Sequence, residues 1–565
     1  MTIASPVSSP ASPRRGSEAT VASLLVGGLV VFLLIFLGLP LWTLLSKSFQ
    51  NDTGAFVGLA NYARYVSTPA LVGSLINSLM VAIISTVIVI PIAFVYAYGL
   101  TRSTIPAKGL FQAIALLPIF APSLLPALSF IYIFGNQGFA KDLLFGASIY
   151  GPIGIVLAHI FYCLPPAVMI LATALSLADG RLYEAADAMG TSRSRVFTTI
   201  TLPGARYGLV SAAVVVFTLV ITDFGIAKVI GGQFSVLATD AYKQVVGQQN
   251  FEMGAVVGMI LLIPAVFAFA VDRWLRSSQT AQLSARSVPY VAKPRAARDL
   301  TLLAFCMLIA ALVIFVVAVA VWASFIRYWP YNLSLTIAHY DFSNAEPGGW
   351  QVYVTSVQMS VAAAVFGTAL IFTGAYLIEK VKAAPALRAV AALMVMLPMA
   401  VPGLVLGLGY VFFFNATWNP LGFLYGGVAL ITLNCIIHFY TVAHVTATTA
   451  LKQIDGEFEA VSASLQVPFW RTFNRVTVPI SMPAILDIAV YLFVNAMTTV
   501  SAVIFLYGPT SKLAAIAIVH MDEAGFIASA AALSVIIMAT AIAVKVGQVL
   551  LDRFVFGRLQ VWRRR

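Results

Sequence analysis

A helix crossing about 30 Å of hydrocarbon with every backbone amide satisfied needs roughly 20 mostly apolar residues. This chain carries twelve such runs, near 21–46, 71–99, 110–134, 151–176, 207–230, 253–271, 300–325, 353–378, 389–414, 425–450, 484–506 and 526–550. A soluble fold of 565 residues could not hide them, since 61% of the chain is hydrophobic and only 10% is charged. That balance excludes a cytosolic enzyme, a nucleic-acid binder and a disordered protein together. Residues 1–20, rich in Ser, Pro and Ala, read as a flexible leader, and the run behind them is too long for a signal-peptide core. Cys163, Cys306 and Cys435 lie inside apolar runs with no C-x-x-C pair, so they read as small apolar fillers.

The net charge of +12 reports topology. Lysine and arginine stay preferentially in cytoplasmic loops. With a cytoplasmic N-terminus, that side receives 26 of the 33 basic residues; Lys47, Arg64, Lys141, Lys228, Lys243, Arg327 and Lys512 remain outside. Both termini are then expected in the cytoplasm, with the lipid bilayer as the main partner and no role for nucleic acid.

The sequence is written twice. A polar, basic linker, 276–299, separates a first six-span repeat, 21–275, from a second, 300–550, and a basic tail, 551–565, follows. Tyr62 matches Tyr340 at an offset of 278, and Pro118 and Pro122 match Pro398 and Pro402 at 280. Asp179-Gly180, Pro203 and Phe217 match Asp455-Gly456, Pro479 and Phe493 at 276. Six spans is an even number, so both repeats enter from one side and are parallel, around a pathway between them. The paired L-P-x-x-x-P elements, Leu117 to Pro122 and Leu397 to Pro402, predict helix breaks, as plain kinks or as cavity-lining backbone.

After the fourth span of each repeat comes an unusual loop. In DGRLYEAADAMGTSRSRVFTTITLP, Asp179 to Pro203, Glu184, Ala185 and Ala186 favour helix, and Gly190 stands where a helix would end in the left-handed conformation. Ser192 is placed to cap a second short helix. Ala185, Ala186 and Met189 are expected to offer a small apolar face. The second copy, DGEFEAVSASLQVPFWRTFNRVTVP, is degenerate: Ala460 takes the place of Glu184, with Glu459 one residue early, and Gln466 takes the place of Gly190, where a left-handed turn is less comfortable. Phe469, Trp470 and Phe473 are its expected contact residues.

The pattern E-A-A-x-x-x-G-x9-I-x-L-P, on Glu184, Ala185, Ala186, Gly190, Ile200, Leu202 and Pro203, resembles the cytoplasmic signature of permease subunits of binding-protein-dependent ABC importers. The resemblance implies an all-α integral membrane protein of about twelve helices in two parallel repeats, like type I importer permeases, in a bacterial inner membrane. It further implies that each loop docks one of two copies of a P-loop ATPase, and that a periplasmic or lipid-anchored solute-binding protein delivers the cargo. ATP would be bound by those partners, so no cofactor is expected here. Two fused repeats look like the ferric-iron and 2-aminoethylphosphonate permeases, and EAVSASLQVPFWRTFNRVTVPISMPAILDI is most similar to the latter group.

The sequence agrees that the chain is no ATPase: it has no Gly-Lys dipeptide and hence no P-loop. His159 lies in the fourth span and His438 and His444 in the tenth, and no catalytic or metal-binding set is expected. Polar residues inside spans mark a candidate pathway: Thr222 and Asp223 in the fifth, Asn495, Thr498 and Thr499 in the eleventh. Asp223 matches Thr499 at the 276 offset. A structural ion pair with Lys228 is the other reading of Asp223. An ion-coupled secondary transporter is the competing class, although it gives no reason for the duplicated loop.

Overall fold

The computed structural model describes residues 13–280, 288 and 290–556. Most of the leader, part of the linker and residues 557–565 of the tail lie outside the described residues. Eight described helices are long and apolar enough to cross a membrane singly: Glu18–Ser48, Pro69–Arg102, Pro152–Ser176, Arg193–Thr222, Phe251–Val271, Ala296–Phe325, Gln351–Glu379 and Ile527–Phe554. Four further crossings are bent pairs, giving twelve spans numbered here in chain order. Span 3, Lys108–Phe120 with Leu124–Phe134, bends by 98°, and span 9, Pro385–Ala400 with Gly403–Phe414, by 113°. These are the two L-P-x-x-x-P elements, where proline removes a donor and clashes with the preceding turn. Span 10, Val428–His438 with Tyr440–Lys452, bends by 55°, and span 11, Phe469–Ile480 with Met482–Thr498, by 78°. Span 5, the counterpart of span 11, runs unbroken, having Tyr207 where span 11 has Pro483.

The two repeats fold alike. Span 2 packs on spans 4 and 5, and span 8 on spans 10 and 11. The Ser48 and Tyr62 hydroxyls meet at 2.9 Å, and Ser324 and Tyr340 repeat the contact at 2.9 Å. The first span of each repeat lies along the other repeat, span 1 against spans 8 and 9, and span 7 against spans 2 and 3. Each crossing is tied by a hydroxyl: Tyr410 donates to the Phe36 carbonyl at 2.7 Å and Ser129 to the Val316 carbonyl at 2.9 Å. Both connecting loops between spans 4 and 5 and between spans 10 and 11 lie at one end. At the opposite end a short hairpin, β1 (Ile326–Tyr328) and β2 (Asn332–Leu335), reaches the first repeat, where Trp329 Nε1 donates to the Gln137 carbonyl at 3.1 Å.

Candidate functional site

Each loop builds a helix, a left-handed turn and a second short helix. Asp179 caps the first loop helix, Gly180–Ala188, by accepting from the Arg181 N–H at 3.1 Å, and Asp455 accepts from Glu457 N–H at 3.0 Å beside the second loop helix, Glu457–Ser464. Gly190 has φ +65°, as the sequence predicts. Its turn is closed by Gly190 N–H to the Asp187 carbonyl at 3.1 Å and Thr191 N–H to Ala186 at 3.0 Å, the paired bonds of a Schellman motif. Gln466 adopts the same turn at φ +54°, with Gln466 N–H to Ala463 at 3.3 Å and Val467 N–H to Ser462 at 2.9 Å. The degenerate copy therefore keeps the turn and accepts its strain. Ser192 stands in the N-cap position of the following helix without a side-chain cap bond.

The exposed face differs from the expected one. Ala186 is buried with Tyr183, because consecutive residues on a helix are turned apart and cannot share a face with Ala185. The outward stripe is Leu182, Ala185 and Met189, with Glu184 exposed beside it. At the 276 offset the second helix exposes Phe458, Val461 and Leu465, a larger version of the same stripe. The spacing i, i+3, i+7 was the signal for these residues, and the E-A-A string distracted from it. Phe473 is corrected too: its ring packs inward, 4.7 Å from Tyr376 and 5.9 Å from Phe372, as Phe197 packs at 6.2 Å from Tyr98 and 6.1 Å from Phe94. Phe469 is half-buried and stacks edge-on with Trp470 at 5.2 Å, while Trp470 itself is exposed.

A cation at the end of span 2 or span 8 fastens each loop helix to the membrane bundle. The buried Arg102 donates Nη2 to the Leu175 carbonyl at 2.7 Å and lies 4.8 Å from the Tyr183 ring centre. Lys380 donates to the Ile454 carbonyl at 2.9 Å and pairs with Glu459 at 3.2 Å. Glu459 sits at the position of Tyr183, so a cation–π contact in one repeat is an ion pair in the other. Glu459 thus points back to span 8 and does not take the place of Glu184.

Inside the membrane, Thr222, Asn495 and Thr498 spend their polar groups on their own helices, bonding the carbonyls of Thr218, Tyr491 and Val494 at 2.8, 2.8 and 2.9 Å. Asp223 and Thr499 end their helices in the same extended conformation, with ψ of 133° and 137°. Asp223 Oδ2 accepts the Ile226 N–H at 2.8 Å and lies 3.7 Å from His159 Nε2. The Lys228 reading of Asp223 is overturned: Lys228 pairs with Glu523 across the repeats. His159 Nδ1 donates to the Ile155 carbonyl at 2.8 Å, which leaves Nε2 buried and without a hydrogen bond. The break of span 3 and the end of span 5 approach so closely that a Cβ on Gly225 would lie 2.5 Å from Ser123 Oγ.

Residues 90–280 match the family described as binding-protein-dependent transport system inner membrane component. A ferric transport system permease protein of Haemophilus influenzae is 28% identical over 520 residues, covering 87% of this chain and 78% of its own. A 2-aminoethylphosphonate transport system permease protein of Salmonella typhimurium is 25% identical over 251 residues, 43% of this chain and 87% of its own. The solved structure of a bacterial alginate ABC transporter, in complex with a periplasmic protein, overlaps 46% of this chain at a TM-score of 0.38 and 17% identity, too loosely to position any element. Residues 90–280 thus match the inner membrane components of binding-protein-dependent transport systems, and the similarity of this multi-pass membrane chain to a ferric transport system permease protein runs through both repeats.

Proposed function

We propose that the two loop helices are the docking points of two ATPase subunits, and that ferric iron is the cargo. The observation carrying the first reading is the twice-built exposed stripe, Leu182, Ala185 and Met189 against Phe458, Val461 and Leu465. Its inner side is fastened to spans 2 and 8, so a push on the stripe reaches the membrane bundle through Arg102 and Lys380. The excess of basic residues at this end supports placing it in the cytoplasm, with the opposite end open to a solute-binding protein.

Two points support iron over 2-aminoethylphosphonate, the cargo to which the second-loop sequence pointed. The ferric relative spans both repeats, whereas the phosphonate relative spans the length of one. The interior chemistry agrees: Asp223 and His159 offer carboxylate oxygen and a bare imidazole nitrogen, which suit a metal cation, and among the described residues no lysine or arginine pairs with Asp223. A zwitterionic aminophosphonate remains the second reading, its ammonium meeting Asp223.

Docking is tested with Met189→Asp and Leu465→Asp, separately and together, in permease co-purified with its ATPase subunits. Each change puts a charge on the stripe without touching its fastening. Each is expected to lower ATPase recovery at least ten-fold at normal permease levels. Full recovery with the double variant would remove the stripes from the interface.

A further inference from the structure

Beside the first loop helix the structure holds a cavity. Its walls come from the end of span 2, the loop helix, the start of span 5 and the linker residues Val288, Tyr290 and those that follow. The linker is laid onto the loop: Gly180 N–H donates to the Val288 carbonyl at 2.8 Å, the Tyr290 ring lies 4.7 Å from Tyr183, and Lys293 pairs with Asp187 at 3.0 Å. About 340 Å³ is left between these pieces.

The cavity is short of negative charge. Arg102 is 2% exposed and held between the Tyr183 and Tyr290 rings, 4.8 and 4.3 Å from their centres. Its Nε has no hydrogen-bond partner, and no carboxylate among the described residues lies within ion-pair distance of it. A buried guanidinium without a counter-charge is costly, and ring faces offset only part of that cost. Arg193, Lys293, Arg295 and Arg298 also line the space. Against them stand Glu184 and Asp187, and Asp187 is already committed: its hydrogen bond and charge contact with Lys293 hold its carboxyl below the usual range. Arg298 is committed to Asp299 at 2.7 Å. Arg102, Arg193 and Arg295 therefore converge on the cavity with one acidic group, Glu184, to balance them.

We propose that this cavity binds a phosphate-bearing anion, which pins the linker onto the first loop helix and so tunes one docking point of the two. Guanidinium groups meet phosphate oxygens in paired hydrogen bonds, and the space accommodates a phosphate with a small substituent. A soluble phosphorylated compound and an anionic lipid headgroup share this chemistry. The inference stands apart from the identity of the cargo, because neither Asp223 nor His159 lines the cavity.

The test uses the full permease with its ATPase subunits in nanodiscs of phosphatidylcholine. Inorganic phosphate is titrated against chloride at constant ionic strength, and amide hydrogen exchange is followed over residues 288–298. At ten times the half-saturating phosphate, exchange there is expected to slow by roughly ten-fold. The Arg193→Gln, Arg295→Gln double variant should lose this protection while keeping the wild-type thermal midpoint in chloride. A second arm replaces the lipid by phosphatidylglycerol: protection there, without a response to phosphate, identifies a lipid headgroup as the occupant. The proposal is overturned if neither phosphate nor phosphatidylglycerol protects the segment, or if the double variant responds as the wild type does.

Discussion

Replacing Gly190 by valine isolates a single torsional preference. Its φ is +65°, and an added Cβ would meet no atom within 4 Å, so there is no clash to confuse the result. The cost is the left-handed conformation itself, about 1–2 kcal/mol for a β-branched side chain. The two N–H bonds that close the turn, at 3.0 and 3.1 Å, depend on that conformation. If the formed turn is what an ATPase subunit binds, its affinity falls by roughly 5- to 30-fold. The second repeat supplies the comparison, since Gln466 already occupies the same turn at φ +54°. Gly190→Gln should therefore be milder than Gly190→Val, and Gln466→Gly should tighten binding, by about 1 kcal/mol at most. The assay is a titration of purified ATPase onto nanodisc-held permease, with the thermal midpoint of the permease as a check on the membrane bundle. Unchanged affinity for Gly190→Val, with its turn shown by exchange protection to be lost, would refute the reasoning.

Two further predictions concern buried charge. Asp223→Asn keeps an acceptor for the Ile226 N–H but removes the carboxylate facing His159. Uptake of radiolabelled ferric citrate by proteoliposomes holding the complete transporter should fall at least ten-fold, with ATP hydrolysis largely kept; wild-type uptake excludes Asp223 from the pathway. Asp522, between spans 11 and 12, has its carboxyl pushed up to about 7 by burial, with Glu523 adding to the rise and Lys228 opposing it. An acid raised in the folded state favours folding most below its ordinary value, and that contribution is lost as pH rises from about 4 to about 7. Asp522→Asn should thus raise the thermal midpoint at pH 8 by the equivalent of roughly 4 kcal/mol at most, and leave it unchanged near pH 4. An equal effect at both pH values would show that the carboxyl is not held neutral.

Much of the architecture was legible because the membrane imposes strong periodic demands. The apolar runs, the two proline breaks and the steady offsets between repeats all appear in the fold, and Gly190 takes the conformation its position implied. What escaped was rotational and tertiary. Ala186 follows Ala185 in sequence but points the opposite way, and only a helical wheel separates them. Phe458, Val461 and Leu465 were hidden by alignment on identities: the second copy keeps the stripe with different residues. Asp223 meets His159 from another span, and the close fit of Val288 and Tyr290 onto the first loop left no signal in a stretch whose composition is that of a linker. Span 11 breaks at Ser481, just before Pro483, while span 5, with Tyr207 in that place, continues, so a proline present in one copy alone separates the two.

The exchange of Arg102 and Tyr183 for Lys380 and Glu459 has a genetic side. A permease assembled from two identical chains would receive every substitution twice, once in each loop. Fusion of the repeats means that a mutation strikes one fastening and leaves its counterpart intact, so the two have been free to drift into different chemistry. One now rests on aromatic faces and a buried guanidinium, the other on an ion pair whose carboxylate oxygens are buried. Loss of the cation would strand a buried carboxylate at Lys380 but no opposite charge at Arg102, so the same substitution should loosen one end of the machine more than the other, a lopsidedness that a symmetric dimer could not inherit.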